Sequence, residues 1–149
     1  MSARVISLQL HERHGDPPRA VAEVRGRVGG GLVGDSHERK AKRAVLVVDR
    51  STLDDLGLAP GDLREQITVE GLRGVSALEP GTELRVGGIA LRVNGPCEPC
   101  THIGGLIGVA DPEELRRSLL GRRGVACSVS AAGVARIGDA VAVRAPVGA

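Results

Sequence analysis

Glu83-Leu84-Arg85-Val86-Gly87-Gly88-Ile89-Ala90-Leu91-Arg92-Val93 sets the architecture of this chain. Two short runs flank a Gly-Gly pair, and a two-residue glycine connection accepts the positive φ angles of a tight hairpin turn. On the second arm Ile89, Leu91 and Val93 alternate with Ala90, Arg92 and Asn94. That is the period of a strand with one buried face. Working outward, Val5–Leu10, Ala20–Val28, Ala44–Val48, Gln66–Val69, Val125–Ser130 and Val141–Arg144 read as further short strands. Gly138-Asp139 supplies the turn before the last of them. Many short strands at regular spacing with little helix predict a mainly β protein, a barrel or a curved sheet.

Two short helices interrupt the strands. Asp49 or Ser51 caps one that runs through Leu56, and Gly57 stops it. The other follows Asp111, with Pro112 at its first position, Glu113 and Glu114 in the first turn, and Gly121 beyond the end. Arg116 and Arg117 lie toward its negative end, and Leu115 and Leu119, four apart, share a buried face. No repeat or linker divides the 149 residues, so one domain spanning 1–149 is expected.

Composition narrows the function classes. The net charge of +2 is too small to indicate nucleic acid or a membrane surface. The chain has no Phe, Tyr or Trp, so its core must be Val, Leu, Ile and Ala. Base stacking, the usual grip on single-stranded nucleic acid, is therefore excluded. A flat ligand would be held by hydrogen bonds, charges, or a covalent or metal bond. Three cysteines are too few for a disulfide scaffold. The first residues lack the long apolar run of a signal peptide, and no stretch is long and apolar enough to span a bilayer, so a cytoplasmic home is expected.

The hairpin leads into Gly95-Pro96-Cys97-Glu98-Pro99-Cys100-Thr101-His102, which holds two of the three thiols. Two prolines stiffen this loop, and a loop after a strand can present its side chains to a ligand. A thiolate is the form that attacks or binds a soft metal, and nearby positive charge favours it. A structural zinc site would need ligands beyond Cys97 and Cys100, and no second Cys-x-x-Cys exists, although His102 is close. A reversible Cys97–Cys100 disulfide is the redox alternative, and no βαβ unit of the thioredoxin kind surrounds the loop. Cys127 alternates in phase with Val125 and Val129, so it is expected in the core as an inert thiol.

Two more segments hold candidate site residues. Gly31 to Arg43 combines glycines with Asp35, His37, Arg39, Lys40, Lys42 and Arg43. Its backbone amides and cations could hold a phosphate or other anion, with Asp35 orienting His37 or satisfying loop amides; the alternative is a solvated basic loop with Asp35 as a turn former. It lacks the Gly-Lys-Ser/Thr ending of nucleotide-hydrolase loops. In Gly61 to Val69, Glu65 and Gln66 enter a strand, where they could bind a polar cofactor edge or satisfy nearby backbone groups.

Taken in order, these segments resemble the MOSC domain, named for the C-terminal part of molybdenum cofactor sulfurase. The matching pieces are Gly34-Asp35-Ser36-His37 with Arg43, Gly61 to Gln66, Gly81 to Gly87, Pro99-Cys100, Arg123-Gly124 and Gly138-Asp139. The likeness runs from about Gly31 to Val143. It implies a β-barrel-centred fold with a few short helices. It also implies a molybdenum cofactor (molybdopterin), with Cys100 as the residue that ligates molybdenum or carries sulfur. Gly34, Asp35, His37, Lys42, Arg43, Glu65 and Gln66 would then surround the cofactor, with Cys97 and His102 as accessory groups. Cys97 is an extra thiol relative to many relatives, and Gln66 stands where Asn is commoner.

The resemblance further implies sulfur-carrier activity or molybdenum-dependent reduction of N-hydroxylated compounds, an oxidoreductase role. Partners would be an electron donor or a cysteine desulfurase, with no nucleic acid and no membrane. Pyridoxal phosphate is not expected in this chain alone. The alternatives are a non-catalytic sulfur or metallocofactor carrier docking to a larger enzyme, and a small zinc-binding module using Cys97, Cys100 and His102.

Overall fold

Residues 3–99 and 101–146 are described by a computed structural model, with Thr101 described by its backbone alone. In chain order the elements are β1 (Ala3–Leu10), β2 (Arg19–Ala20), β3 (Glu23–Arg25), β4 (Val45–Asp49), α1 (Arg50–Leu56) and β5 (Ile67–Glu70). A 3-10 turn (Val75–Ala77), β6 (Glu83–Val86), β7 (Ile89–Pro96), α2 (Thr101–Ile107) and α3 (Pro112–Ser118) come next. β8 (Val125–Ala131), β9 (Val134–Arg136) and β10 (Ala140–Arg144) complete the chain.

The Gly87-Gly88 hairpin forms as expected, with Leu84 opposite Leu91 and Val86 opposite Ile89. Strands run β10-β6-β7-β8-β4-β5-β1, and β1 pairs again with β10, closing a seven-stranded barrel. Closure removes the exposed sheet edges that would otherwise recruit other chains. The β4–β5 pair is parallel, so α1 and a long loop must cross between them. That crossover carries Gly61 to Gln66 over one end of the barrel. Inside, alternation buries Leu84, Val86, Ile89, Leu91 and Val93 with Val125, Cys127 and Val129 from β8. A second small cluster of Val48, Leu53, Leu63, Ile103 and Leu119 lies outside the barrel, where α1, α2 and α3 meet.

Both expected caps are present. Asp49 accepts from Ser51 N at 3.0 Å and Gly57 takes φ +68°, bounding α1. Asp111 accepts from Glu114 N at 3.1 Å and starts α3. Leu119 is fully buried and Leu115 half-buried, as their spacing requires.

Three expectations change. Ala20–Val28 is not one strand, because its first residues pair with β1 while Glu23–Arg25 turns away to pair with β9. β9 itself is three residues long, too short for periodicity to reveal. A helix, α2, begins directly after the thiol loop. Gly104 and Gly105 hide it, since glycine is a poor helix former. Its reason is tertiary: a Cβ on Gly104 would come within 2.7 Å of Pro112 Cα, so glycine lets α2 pack closely on α3.

Gly124 is a second place where backbones touch. It holds φ +89°, and a Cβ there would overlap the Val47 carbonyl oxygen and sit 2.9 Å from Val48 Cγ2. Gly121, at φ +72°, has open space around it. Gly124→Ala should therefore cost about 3 kcal/mol or more, and Gly121→Ala only about 1–2 kcal/mol from its left-handed backbone. Urea denaturation of the two variants measures the difference.

Candidate functional site

The loop between β3 and β4 folds around a buried carboxylate. Asp35 accepts from His11 N at 2.8 Å, His37 N at 3.0 Å and Gln66 Nε2 at 3.1 Å. His11 Nδ1 lies 3.5 Å from the same Oδ1. One side chain thus ties the end of β1, its own loop and the start of β5. The glycines serve that fold rather than a ligand. Gly31 N donates to Glu38 O at 2.8 Å, Gly34 N donates to Glu38 Oε1 at 2.8 Å, and a Cβ on Gly30 would overlap Glu38 O. The expectation that these amides cradle a phosphate is corrected: their N–H groups are engaged within the loop.

Beside the loop lies a cleft with two lobes that share His37, Arg64, Gln66 and Arg123. The smaller, about 130 Å³, is completed by His11, His14 and Ser36 together with His102, Ile103 and Leu106 of α2. The larger, about 360 Å³, is completed by Arg43, Val45, Leu46, Ala126 and the stretch Cys97–Pro99. Arg123 locks this arrangement. It is buried and donates to Glu98 O at 3.1 Å and Leu63 O at 3.3 Å, joining the thiol loop to the crossover turn. Arg64 holds φ +63°, the only non-glycine positive φ among the described residues. Such a conformation costs about 1–3 kcal/mol and collects at ligand sites.

The MOSC domain family model matches residues 13–142. The chain belongs to the MOSC domain family. Its fold is similar to that of the YuaD protein from Bacillus subtilis, with a TM-score of 0.84, 20% identity and 96% of each chain covered. It is also similar to YiiM from Escherichia coli, at TM-score 0.69 and 21% identity over 97% of this chain and 71% of that one. YiiM from Geobacillus stearothermophilus matches at TM-score 0.73 and 16% identity over 95% and 75%. These likenesses show the fold alone. No curated protein matches the chain in sequence.

Of the residues singled out from sequence, this MOSC domain brings His37, Arg43, Gln66, Cys97 and His102 to the cleft. Asp35 stands behind the wall and holds it. Gly34 and Lys42 are exposed and are not among the cleft-lining residues, and the Lys42 carbonyl accepts from Asn94 Nδ2 at 2.8 Å. Gln66 is spoken for at both ends: Oε1 accepts from Leu46 N at 2.7 Å while Nε2 reaches Asp35. Cys100 lies outside the described residues; its neighbours Pro99 and His102 line the larger and smaller lobes. Cys127 is buried in the barrel, and burial pushes its thiol up to about 12. Among the described residues no group of three or more His, Cys, Asp or Glu is placed to hold a metal ion.

Glu65 sits elsewhere than expected. It is fully buried, accepts from Leu63 N at 3.2 Å and Thr68 Oγ1 at 2.9 Å, and does not line the cleft. It braces the crossover turn from inside. His11, His14, Arg64 and Arg123 are cleft residues that sequence reasoning missed. Arg123 had a signal, the Arg-Gly pair within the family pattern. The other three carried none, because nothing local marks a residue that a distant segment will meet.

Two of the buried carboxylates, Asp35 and Glu65, are pushed in opposite directions. Burial raises Asp35, but the hydrogen bonds from His11, His37 and Gln66 outweigh it and hold the group below 3.8. Burial dominates at Glu65 and raises its carboxyl from 4.5 to about 7 despite its hydrogen bonds. Native Glu65 therefore binds its proton more tightly than the unfolded chain does. Its stabilising contribution is full below pH 4.5 and is lost as pH rises through about 7. Glu65→Gln, which mimics the protonated form, should remove a loss of order 3 kcal/mol that otherwise develops between about pH 4.5 and 7. Urea midpoints across that range check this. Asp35→Asn should cost about 3 kcal/mol at neutral pH, because it puts an amide donor against donors. The same denaturation measures it.

Proposed function

We propose that this MOSC domain binds a molybdenum cofactor and that the Cys100 thiolate ligates the metal or carries a transferable sulfur. The observation that carries this reading is the larger lobe. Arg43, Arg64, Arg123 and His37 converge there on a space whose wall includes Cys97–Pro99, the segment that leads into Cys100. A phosphorylated, oxygen-rich ligand suits such walls, and the lack of aromatic residues agrees with a grip by charge and hydrogen bonds.

Each residue has a definable part. Arg43 and His37 would contact phosphate or ring oxygens. Arg64, held in a strained backbone, lines both lobes, and its Nη1 donates to the Asp16 carbonyl. Arg123 holds the thiol loop against the crossover turn through the Glu98 and Leu63 carbonyls. Gln66 and Asp35 fix the wall, while Val45, Leu46 and Ala126 keep part of the lobe apolar and limit water. Cations near a thiol favour the thiolate, the form needed for metal ligation or sulfur transfer. Bound molybdenum would supply oxygen-atom removal from N-hydroxylated compounds, with electrons from a donor protein. As a carrier, the domain would instead receive sulfur from a desulfurase and dock to an acceptor enzyme. No helix among the described residues is long and apolar enough to cross a membrane.

Protein made in a host that synthesises the cofactor should contain molybdenum and pterin in comparable amounts. Cys100→Ala should lower molybdenum at least about ten-fold, as expected for loss of a direct ligand. Arg43→Ala should lower pterin content several-fold with the fold intact. Full molybdenum in the Cys100→Ala protein would overturn the assignment. Mass spectrometry of Cys100 and turnover with an N-hydroxylated substrate separate carrier from reductase, since a persulfide without turnover marks the carrier.

A further inference from the structure

All four histidines of the chain line the smaller lobe of the cleft. His11 and His14 follow β1, His37 comes from the loop around Asp35, and His102 stands exposed on α2. Arg64 and Arg123 share this wall, and no carboxylate belongs to its lining among the described residues. Asp35, whose oxygens face His11 and the His37 N–H, acts on this wall, Asp16 acts with it on Arg64, and Glu98 lines the adjoining lobe. Lys40 adds a further positive charge near His37.

His11 gives the second, independent sign of a ligand. Its side chain is 2% exposed, Nδ1 is turned toward Asp35, and Nε2 is buried without a hydrogen-bond partner in the protein. A buried polar atom left unmatched is destabilising, so a partner at the cavity wall is favoured. With Nδ1–H directed at Asp35, Nε2 becomes a donor once the ring is protonated. The rings of His14 and His37 are 6.4 Å apart, so charging both is unfavourable unless an anion lies near them. Two guanidinium groups repel a metal cation, and the described imidazoles are not arranged as a metal cluster.

We propose that this lobe is a proton-linked site for a small divalent oxyanion, held among His11, His14, His37, Arg64 and Arg123. The site goes beyond the cofactor reading and needs neither Cys100 nor His102. Its volume of about 130 Å³ holds a tetrahedral anion with room to spare. Burial, aided by the charges of Lys40, His14 and His11 and opposed by Asp35, keeps His37 below its ordinary 6.5. The linkage has one sign: an anion that binds the protonated rings more tightly must itself bind more tightly as pH falls through the imidazole range.

The test is calorimetric titration of the full-length protein, free of cofactor, with inorganic sulfate, which keeps its double charge across the imidazole range. Chloride holds the ionic strength constant. Sulfate should bind at least about ten-fold more tightly near pH 6 than near pH 8, with proton uptake seen as a dependence on buffer ionisation heat. His14→Ala, at an exposed position, and His11→Gln should each weaken binding several-fold and flatten the pH dependence. Arg85→Ala, on the exposed face of β6, should change neither. Glycerol phosphate gives a second arm: tighter binding than sulfate marks the end group of a larger ligand, and weaker binding marks a free oxyanion. Absence of sulfate binding near pH 6, pH-independent affinity, or unchanged binding in His14→Ala would overturn the proposal. None of these outcomes touches the molybdenum assignment, which is read from metal and pterin content.

Discussion

The buried carboxylate of Asp35 is the tie on which the functional end of this molecule rests. Its oxygens accept from the backbones of His11 and His37 and from the Gln66 amide, so three segments distant in sequence meet at one charge. A charge can stay buried only if its acceptor capacity is met, and each partner here is held by other bonds in turn. Ser36 N reaches His11 O at 2.6 Å, and Gln66 Oε1 takes Leu46 N from β4. The result is a rigid wall from which His11, His37 and Gln66 face the cleft.

The barrel makes that wall possible. Its core has no aromatic rings and relies on Val, Leu, Ile and Ala, so its stability comes from the closeness of small branched side chains. Backbone approaches at Gly124 and Gly104 take this to its limit, placing β8 against β4 and α2 against α3. The same composition shapes the site. Without aromatic rings, the polar groups a ligand would meet are guanidinium and imidazole groups, and the cleft gathers Arg43, Arg64, Arg123 and four histidines from dispersed positions.

Glu65 and Gln66 are neighbours with separate duties. At the turn into β5 one side chain lies inside and braces the crossover turn, while the other reaches the wall of the cleft. Glu65 is surrounded too closely to stay charged cheaply, whereas Asp35 has enough donors to remain a carboxylate. Two acids, both buried, end with opposite protonation tendencies because burial outweighs the hydrogen bonds at Glu65 and is outweighed by them at Asp35.

The Gly87-Gly88 hairpin, the caps at Asp49 and Asp111, and the inward phase of Cys127 were all legible in the residues themselves, because turn, cap and alternation signals act within a few positions of the chain. The order of motifs from Gly34 to Asp139 likewise pointed to the MOSC family, which the family model matches over residues 13–142. Tertiary structure alone decided that α2 forms despite Gly104 and Gly105, that Glu65 turns inward, and that the glycine loop spends its amides on itself. It alone brought His11, His14, Arg64 and Arg123 to the cleft beside His37 and Arg43. Local pattern governs which face of an element is apolar; which distant side chains share a cavity is set by how the closed barrel brings its loops together at one end.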